Sequence, residues 1–244
     1  MLKSFAGGTI FGERFGGGPL RVLALHGWGR DRRDFDEILG GLDAAAIDLP
    51  GFGASPEPPE AVGAAGYARL IAPVLDEFPQ PAIIVGHSFG GRVAVHLAVL
   101  RPEKVGTLIL MGAPLLRPAG SGRGTPPFAY RMIRAMHRKR WIGDDRMELA
   151  RQRYGSADYR AARGVMREVL VVAVNESYEA QLDQIHQPVQ LIWGADDRDV
   201  PVEIARRAME HLSRAELTLL EGVGHHVCLE SPAAVRAAVL GGVS

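Results

Sequence analysis

The sequence of 244 residues predicts an α/β domain: a doubly wound, mostly parallel sheet broken by one helical insertion. Three observations predict it. Short apolar runs recur along the chain, each closed by Gly, Asp or Pro. Helical patterns fill the gaps between them. One stretch, from about Pro114 to Gln187, carries helical text and no convincing strand. Short runs that are apolar at consecutive positions fit strands buried on both faces. Strand–helix alternation at this spacing builds βαβ units.

The elements follow in order. Residues 1–19, with Gly7, Gly8 and Gly16 to Gly18, read as an antiparallel hairpin at a sheet edge. Strands are expected at Leu20–Leu25, Ala44–Leu49, Ala82–Val85, Val105–Met111, Val189–Trp193 and Leu217–Leu220. Helices are expected at Asp34–Leu42, Tyr67–Phe78, Gly91–Leu100, Val202–Leu212 and Pro232–Leu240. Pro232 suits a first helical turn with Ser231 as cap, because its missing N–H has no partner there anyway. The insertion opens with the Pro/Gly-rich text LLRPAGSGRGTPP and continues as helices from Phe128 to Asp183. That divides the chain into a core of residues 1–113 and 187–244 and a helical cap of residues 114–186. The cap is expected on the carboxyl edge of the sheet, where open α/β sheets bind ligands.

Composition removes several function classes. Lys+Arg and Asp+Glu number 28 each, so no general basic surface for nucleic acid exists. A single Cys forms no intramolecular disulfide and no structural zinc set. No run of 18 apolar residues occurs, and MLKSFAGGTI lacks the layout of a signal peptide. A soluble, cytoplasmic protein with no membrane or nucleic-acid partner is the expectation.

The chemistry gathers at three strand ends. Gly86-His87-Ser88-Phe89-Gly90-Gly91 contains G-x-S-x-G between the strand AIIV and the helix RVAVHLAVL. That is the strand–turn–helix setting of a nucleophile elbow, which lifts a serine hydroxyl off the sheet. The other reading of the segment is a Gly-rich turn with Ser88 as a helix cap. A serine hydroxyl needs an oriented base, and in this arrangement the acid and then the His follow along the chain. Acids follow the strand at 189–193 in GADDRDVP, and GVGHH follows the strand at 217–220.

With those pieces in view, the chain resembles the α/β-hydrolase superfamily of serine hydrolases over essentially its whole length. HGWG at 26–29, DLPGFGAS at 48–55, GHSFGG at 86–91, GADDRDVP at 194–201 and GVGHHVCLESP at 222–232 carry the resemblance. The family pattern G-x-x-D-x-x-V-P implies Asp197 as the acid. Asp199 is the second candidate, and Asp196 a solvated turn carboxylate. The pattern G-x-G-H implies His225 as the base, while His226 should point elsewhere on an extended backbone. The resemblance further implies that the backbone N–H groups of Trp28 and Phe89 form the oxyanion hole. The Trp28 side chain is read either as lining the substrate pocket or as core packing. His26 is expected to hydrogen-bond loop backbone, and the His87 ring to diverge from the Ser88 hydroxyl. Cys228, His96, His137, His186 and His211 receive no role, and neither metal nor cofactor is expected.

The expected activity is cleavage of a carboxylic ester with a small or medium acyl group through an acyl-enzyme. Relatives with the same triad and a similar cap act as C–C bond hydrolases on vinylogous diketones, which is the alternative. A hydrolase-fold receptor that binds without turnover is a further one. Between Tyr130 and Leu170 stand 11 basic and five acidic residues. Arg131, Arg134 and Arg138 would share a helix face that steers an anionic or carrier-linked ester. A plain solvated face is the simpler reading. HGWG and DLPGFG look like the pimeloyl-carrier methyl ester esterases, whose caps dock an acidic carrier; those enzymes usually have Trp where this chain has His87.

Overall fold

The computed structural model describes residues 2–117, 128–154 and 157–243. Eight strands form one sheet: β1 (Leu2–Phe5), β2 (Ile10–Phe15), β3 (Val22–Leu25), β4 (Ala44–Asp48), β5 (Ala82–His87), β6 (Val105–Met111), β7 (Val189–Gly194) and β8 (Ala215–Leu220). Their order is β1-β2-β4-β3-β5-β6-β7-β8. The hairpin β1–β2 is antiparallel and joins β4 antiparallel, with Phe11 opposite Asp48. Every pair from β4 to β8 is parallel. The hairpin therefore sits at the sheet edge, and the other six strands run one way.

Period-two alternation explains why the runs are apolar throughout. Leu23, Leu25, Ile84, Leu108, Leu110, Leu191 and Trp193 enter one buried cluster. Their neighbours Val22, Ala24, Ile83, Val85, Ile109, Met111 and Ile192 enter another on the opposite face. The first face is covered by α2 (Ala64–Ile71), α3 (Phe89–Leu100) and, further along the chain, α9 (Glu203–Met209). The second is covered by α1 (Asp36–Leu39), α10 (Val227–Glu230) and α11 (Pro232–Val243). Burying one such Leu or Ile contributes roughly 1.5–3 kcal/mol, so both layers resist polar substitution.

Two helices depart from expectation for local reasons. The segment expected as one helix over Tyr67–Phe78 is α2 followed by a tighter 3₁₀ turn over Ala72–Glu77. Pro73 has no N–H and its ring crowds the preceding turn, which ends the α-helix. The segment Asp34–Leu42 is shorter, a 3₁₀ turn at Arg32–Phe35 running into α1. At Ser231 the backbone carbonyl, rather than the side chain, receives the N–H groups of Ala234 and Val235.

Between β6 and β7 lie α4 (Phe128–Arg138), α5 (Asp144–Tyr154), α6 (Ala157–Ala161), α7 (Gly164–Ala173) and α8 (Glu179–Leu182). No strand occurs there among the described residues. The text AGSGRGTPP of the connecting segment, residues 119–127, lies outside the described residues. No helix among the described residues is long and apolar enough to cross a membrane.

Candidate active site

Ser88 sits at the junction of β5 and α3 with φ +49° and ψ −110°. An L-residue held there stores about 1–3 kcal/mol of strain. The surroundings over-determine it. Ser88 N–H donates to the Met111 carbonyl at 2.8 Å, and the Ser88 carbonyl accepts Gly91 N–H at 3.1 Å. The flanking glycines are sterically required. A Cβ on Gly90 would stand 2.1 Å from the Leu25 carbonyl oxygen, and one on Gly86 would stand 2.7 Å from Gly91 Cα.

Asp197 lies in the loop after β7 and is buried. Its Oδ1 accepts the N–H groups of Asp199 at 2.9 Å and Val200 at 2.8 Å. Its Oδ2 is 2.8 Å from His225 Nδ1. On the other side of that ring, His225 Nε2 is 3.1 Å from Ser88 Oγ. Three strand ends thus bring a hydroxyl, an imidazole and a carboxylate into one line. Gly112, the residue after β6, closes the line from below: a Cβ there would stand 3.1 Å from His225 Nδ1 and 3.3 Å from Asp197 Oδ2.

Around Ser88 opens a pocket of about 330 Å³. Gly27, Trp28, Arg30, Asp158, Asp199 and His226 contribute to its wall. Trp28 does two jobs, since its ring also packs edge-on against Phe52 at 5.0 Å and Phe89 at 5.5 Å. Phe89 is the first residue of α3, so its N–H has no acceptor within that helix. Arg30 is held by a bidentate pair with Asp34, at 2.8 and 2.5 Å. Asp158, from α6, places an element of the insertion directly on this pocket.

Several residues behave differently from expectation. His226 does not turn away: it lines the same pocket, with its ring 5.5 Å from that of His225. Its backbone at φ −87°, ψ +58° is bent into α10, so strand alternation does not apply. His87 does leave the Ser88 hydroxyl, and it turns to the His225 carbonyl, 2.9 Å from Nε2. Burial holds its pKa down to about 4, so near neutrality the ring is uncharged and donates Nε2–H to that carbonyl. Among the described residues its Nδ1 is buried without a hydrogen-bond partner. Glu230 was not singled out by the sequence. Its two oxygens accept the N–H groups of Gly224 at 2.7 Å and His226 at 3.0 Å, bracketing His225. The only sequence signal was an acid five residues beyond the G-x-G-H histidine.

The remaining candidates are structural or peripheral. His26 accepts Leu49 N–H at Nε2 and bonds the Gly27 carbonyl through Nδ1; burial lowers its pKa. Cys228 is buried against Met111, and burial pushes its thiol up. His137 and His211 pair with Asp144 and Asp183, and His96 packs edge-on to Tyr178. Asp196 is exposed. Arg131, Arg134 and Arg138 share a face of α4 with Met132, apart from the Ser88 pocket. The Arg151 side chain lies outside the described residues. Donor oxygens of Asp197 and Asp199 and a nitrogen of His225 lie within 4.8 Å of one another. Both Asp197 oxygens already accept hydrogen bonds, so a cation would have to break the line to Ser88.

The fold and the strand-end cluster define a class, the α/β hydrolases. The profile described as the alpha/beta hydrolase family matches residues 22–238, and the chain belongs to that family. It is 30% identical over 233 residues to the pimeloyl-[acyl-carrier protein] methyl ester esterase of Neisseria meningitidis, spanning 84% of this chain and 86% of that protein. It is 27% identical to the 2-hydroxy-6-oxononadienedioate/2-hydroxy-6-oxononatrienedioate hydrolase of Cupriavidus pinatubonensis, over 86% of this chain and 82% of that one. Among solved structures, a putative lipase of Acinetobacter baumannii superposes with a TM-score of 0.73 at 18% identity, covering all of this chain and 90% of that one, a likeness of fold.

Proposed function

We propose that the protein is a serine carboxylesterase working through an acyl-enzyme, with Ser88 as nucleophile, His225 as general base and acid, and Asp197 as the carboxylate that orients the imidazole. The observation that carries this reading is the line Ser88 Oγ–His225–Asp197, at 3.1 and 2.8 Å. Ser88 Oγ attacks the ester carbonyl carbon while His225 Nε2 takes its proton. The charge that develops on the carbonyl oxygen is met by the N–H groups of Trp28 and Phe89, each worth about 3 kcal/mol in such sites. The C–O bond to the alcohol breaks and the alcohol leaves with the proton held by His225. Water then attacks the acyl-Ser88, giving a proton to His225; the bond from the acyl carbon to Ser88 Oγ breaks, Oγ takes that proton back from His225, and the acid departs. No cofactor enters the scheme.

Residues 114–186 are read as the cap over a core of residues 1–113 and 187–244, supported by Asp158 on the pocket wall. The pocket holds a small or medium ester end, with Trp28 against it. Its wall carries Asp158 and Asp199, and its Arg30 is neutralised by Asp34, which suits an uncharged ester. The basic face of α4 lies outside the pocket and suits an acidic carrier at the other end of the acyl chain. That division matches the substrate named for the Neisseria relative. The C–C hydrolase reading is supported by the Cupriavidus relative.

A fluorophosphonate should label the wild type and not Ser88→Ala; an unlabelled wild type removes both hydrolase readings. Turnover of p-nitrophenyl esters of graded length, beside a vinylogous diketone, separates the two. Hydrolysis of the diketone alone would overturn the esterase.

A further inference from the structure

We propose that Asp199 is a second carboxylate serving His225, a positioning residue that shares the support of the imidazolium with Asp197 and takes it over when Asp197 is lost. This rests on the Ser88–His225–Asp197 reading. Asp199 is two residues from Asp197, and its N–H is tied to Asp197 Oδ1 at 2.9 Å. That bond fixes where its side chain starts. Its carboxylate lies within 4.8 Å of both an Asp197 oxygen and a His225 ring nitrogen, and it lines the Ser88 pocket.

Neither Asp197 oxygen is spare, since Oδ1 receives two backbone N–H groups and Oδ2 faces His225 Nδ1. Asp199 is different. It is exposed, and among the described residues its carboxylate has no hydrogen-bond or ion-pair partner. No such bond holds its present rotamer, and it starts within 4.8 Å of a His225 ring nitrogen. The other groups around the imidazole do not substitute for it. His87 faces it uncharged, His226 is a second imidazole, Arg30 is paired with Asp34, and Asp158 reaches the pocket from α6. When Ser88 attacks, positive charge appears on His225, and two carboxylates, one buried and one exposed, then stand within 4.8 Å of it.

The test is a set of four proteins: wild type, Asp199→Asn, Asp197→Ala and the double variant, assayed on one p-nitrophenyl ester from pH 5 to 9. Asp197→Ala is used because it leaves room for Asp199 to swing in. Asp199→Asn alone should lower kcat/KM about threefold and leave KM unchanged. Removing a negative charge at this distance disfavours the imidazolium, so the acid limb of the pH profile should move down by about half a pH unit. Asp199→Glu should restore both. In the Asp197→Ala background the same Asp199→Asn change should cost about tenfold or more.

Equal cost in both backgrounds with an unmoved acid limb overturns the proposal and leaves the triad standing. Full activity in both Asp197→Ala and the double variant overturns the triad itself, and this proposal with it. Asp199→Asn is a surface change, so its pH profile remains decisive even if the Asp197 variants fail to fold.

Discussion

His87 donates its Nε2–H to the backbone carbonyl of His225 at 2.9 Å. The residue preceding Ser88 thus holds the backbone of His225, across 138 positions of sequence. The ring is positioned to fix where His225 stands relative to Ser88.

His87→Ala should lower kcat about tenfold with little change in KM, because His225 loses its backbone anchor and catalysis is sensitive to small displacements. Equal losses in kcat/KM through KM alone would contradict that. The same residue sets an acid limit. Its folded pKa of about 4 lies below the ordinary 6.5, so the unfolded chain binds more protons between those values. Stability should fall as pH drops from 6.5 toward 4, by on the order of 3 kcal/mol from this ring. Thermal unfolding of wild type and His87→Gln across that range should show a shallower acid slope in the variant.

Ser88→Gly should be inactive and yet more thermostable than Ser88→Ala. Glycine accepts the φ of +49° at no steric cost, and alanine does not. A difference of about 1 kcal/mol, read from Tm or denaturant midpoints, is expected. Equal stabilities would show that the elbow stores no strain.

Glu230→Gln should keep one of the two clamps on the His225 loop, and Glu230→Ala neither. Hydrogen bonds to a charged acceptor contribute about 1.5–3 kcal/mol each at most, less at this exposed position. The Ala variant should lose kcat at least tenfold, with Gln intermediate. Full activity in both variants would mean that the loop needs no clamp.

Arg131→Glu with Arg134→Glu should reduce kcat/KM on an acyl-carrier-linked methyl ester about tenfold or more at low salt, and leave p-nitrophenyl butyrate untouched. The loss should shrink as salt rises. Parallel losses on both substrates would show damage to the packing of α4 rather than to the proposed carrier docking.

The fold and the aligned cluster were legible for the same reason: both depend on local text. A strand buried on both faces is apolar at each position, and Ser88, Asp197 and His225 each follow such a strand inside a short motif. Glu230 and His87 were not legible in this sense. Their work is to grip backbone atoms of another loop, and no sequence pattern records which carbonyl or N–H a side chain will meet. His226 was misplaced because an extended backbone was assumed where α10 begins. The α2 boundary failed on Pro73, a breaker within an otherwise periodic run.

Ser88 and His225 bond across a separation of 137 residues, and their strands are joined only through β6, β7 and β8 in register. No fragment short of β8 holds both. Contacts of such long loop closure form late in folding, after local helices and the first strand pairs. Regain of hydrolysis on refolding should therefore lag regain of helical signal, making turnover a clock for completion of the last strand.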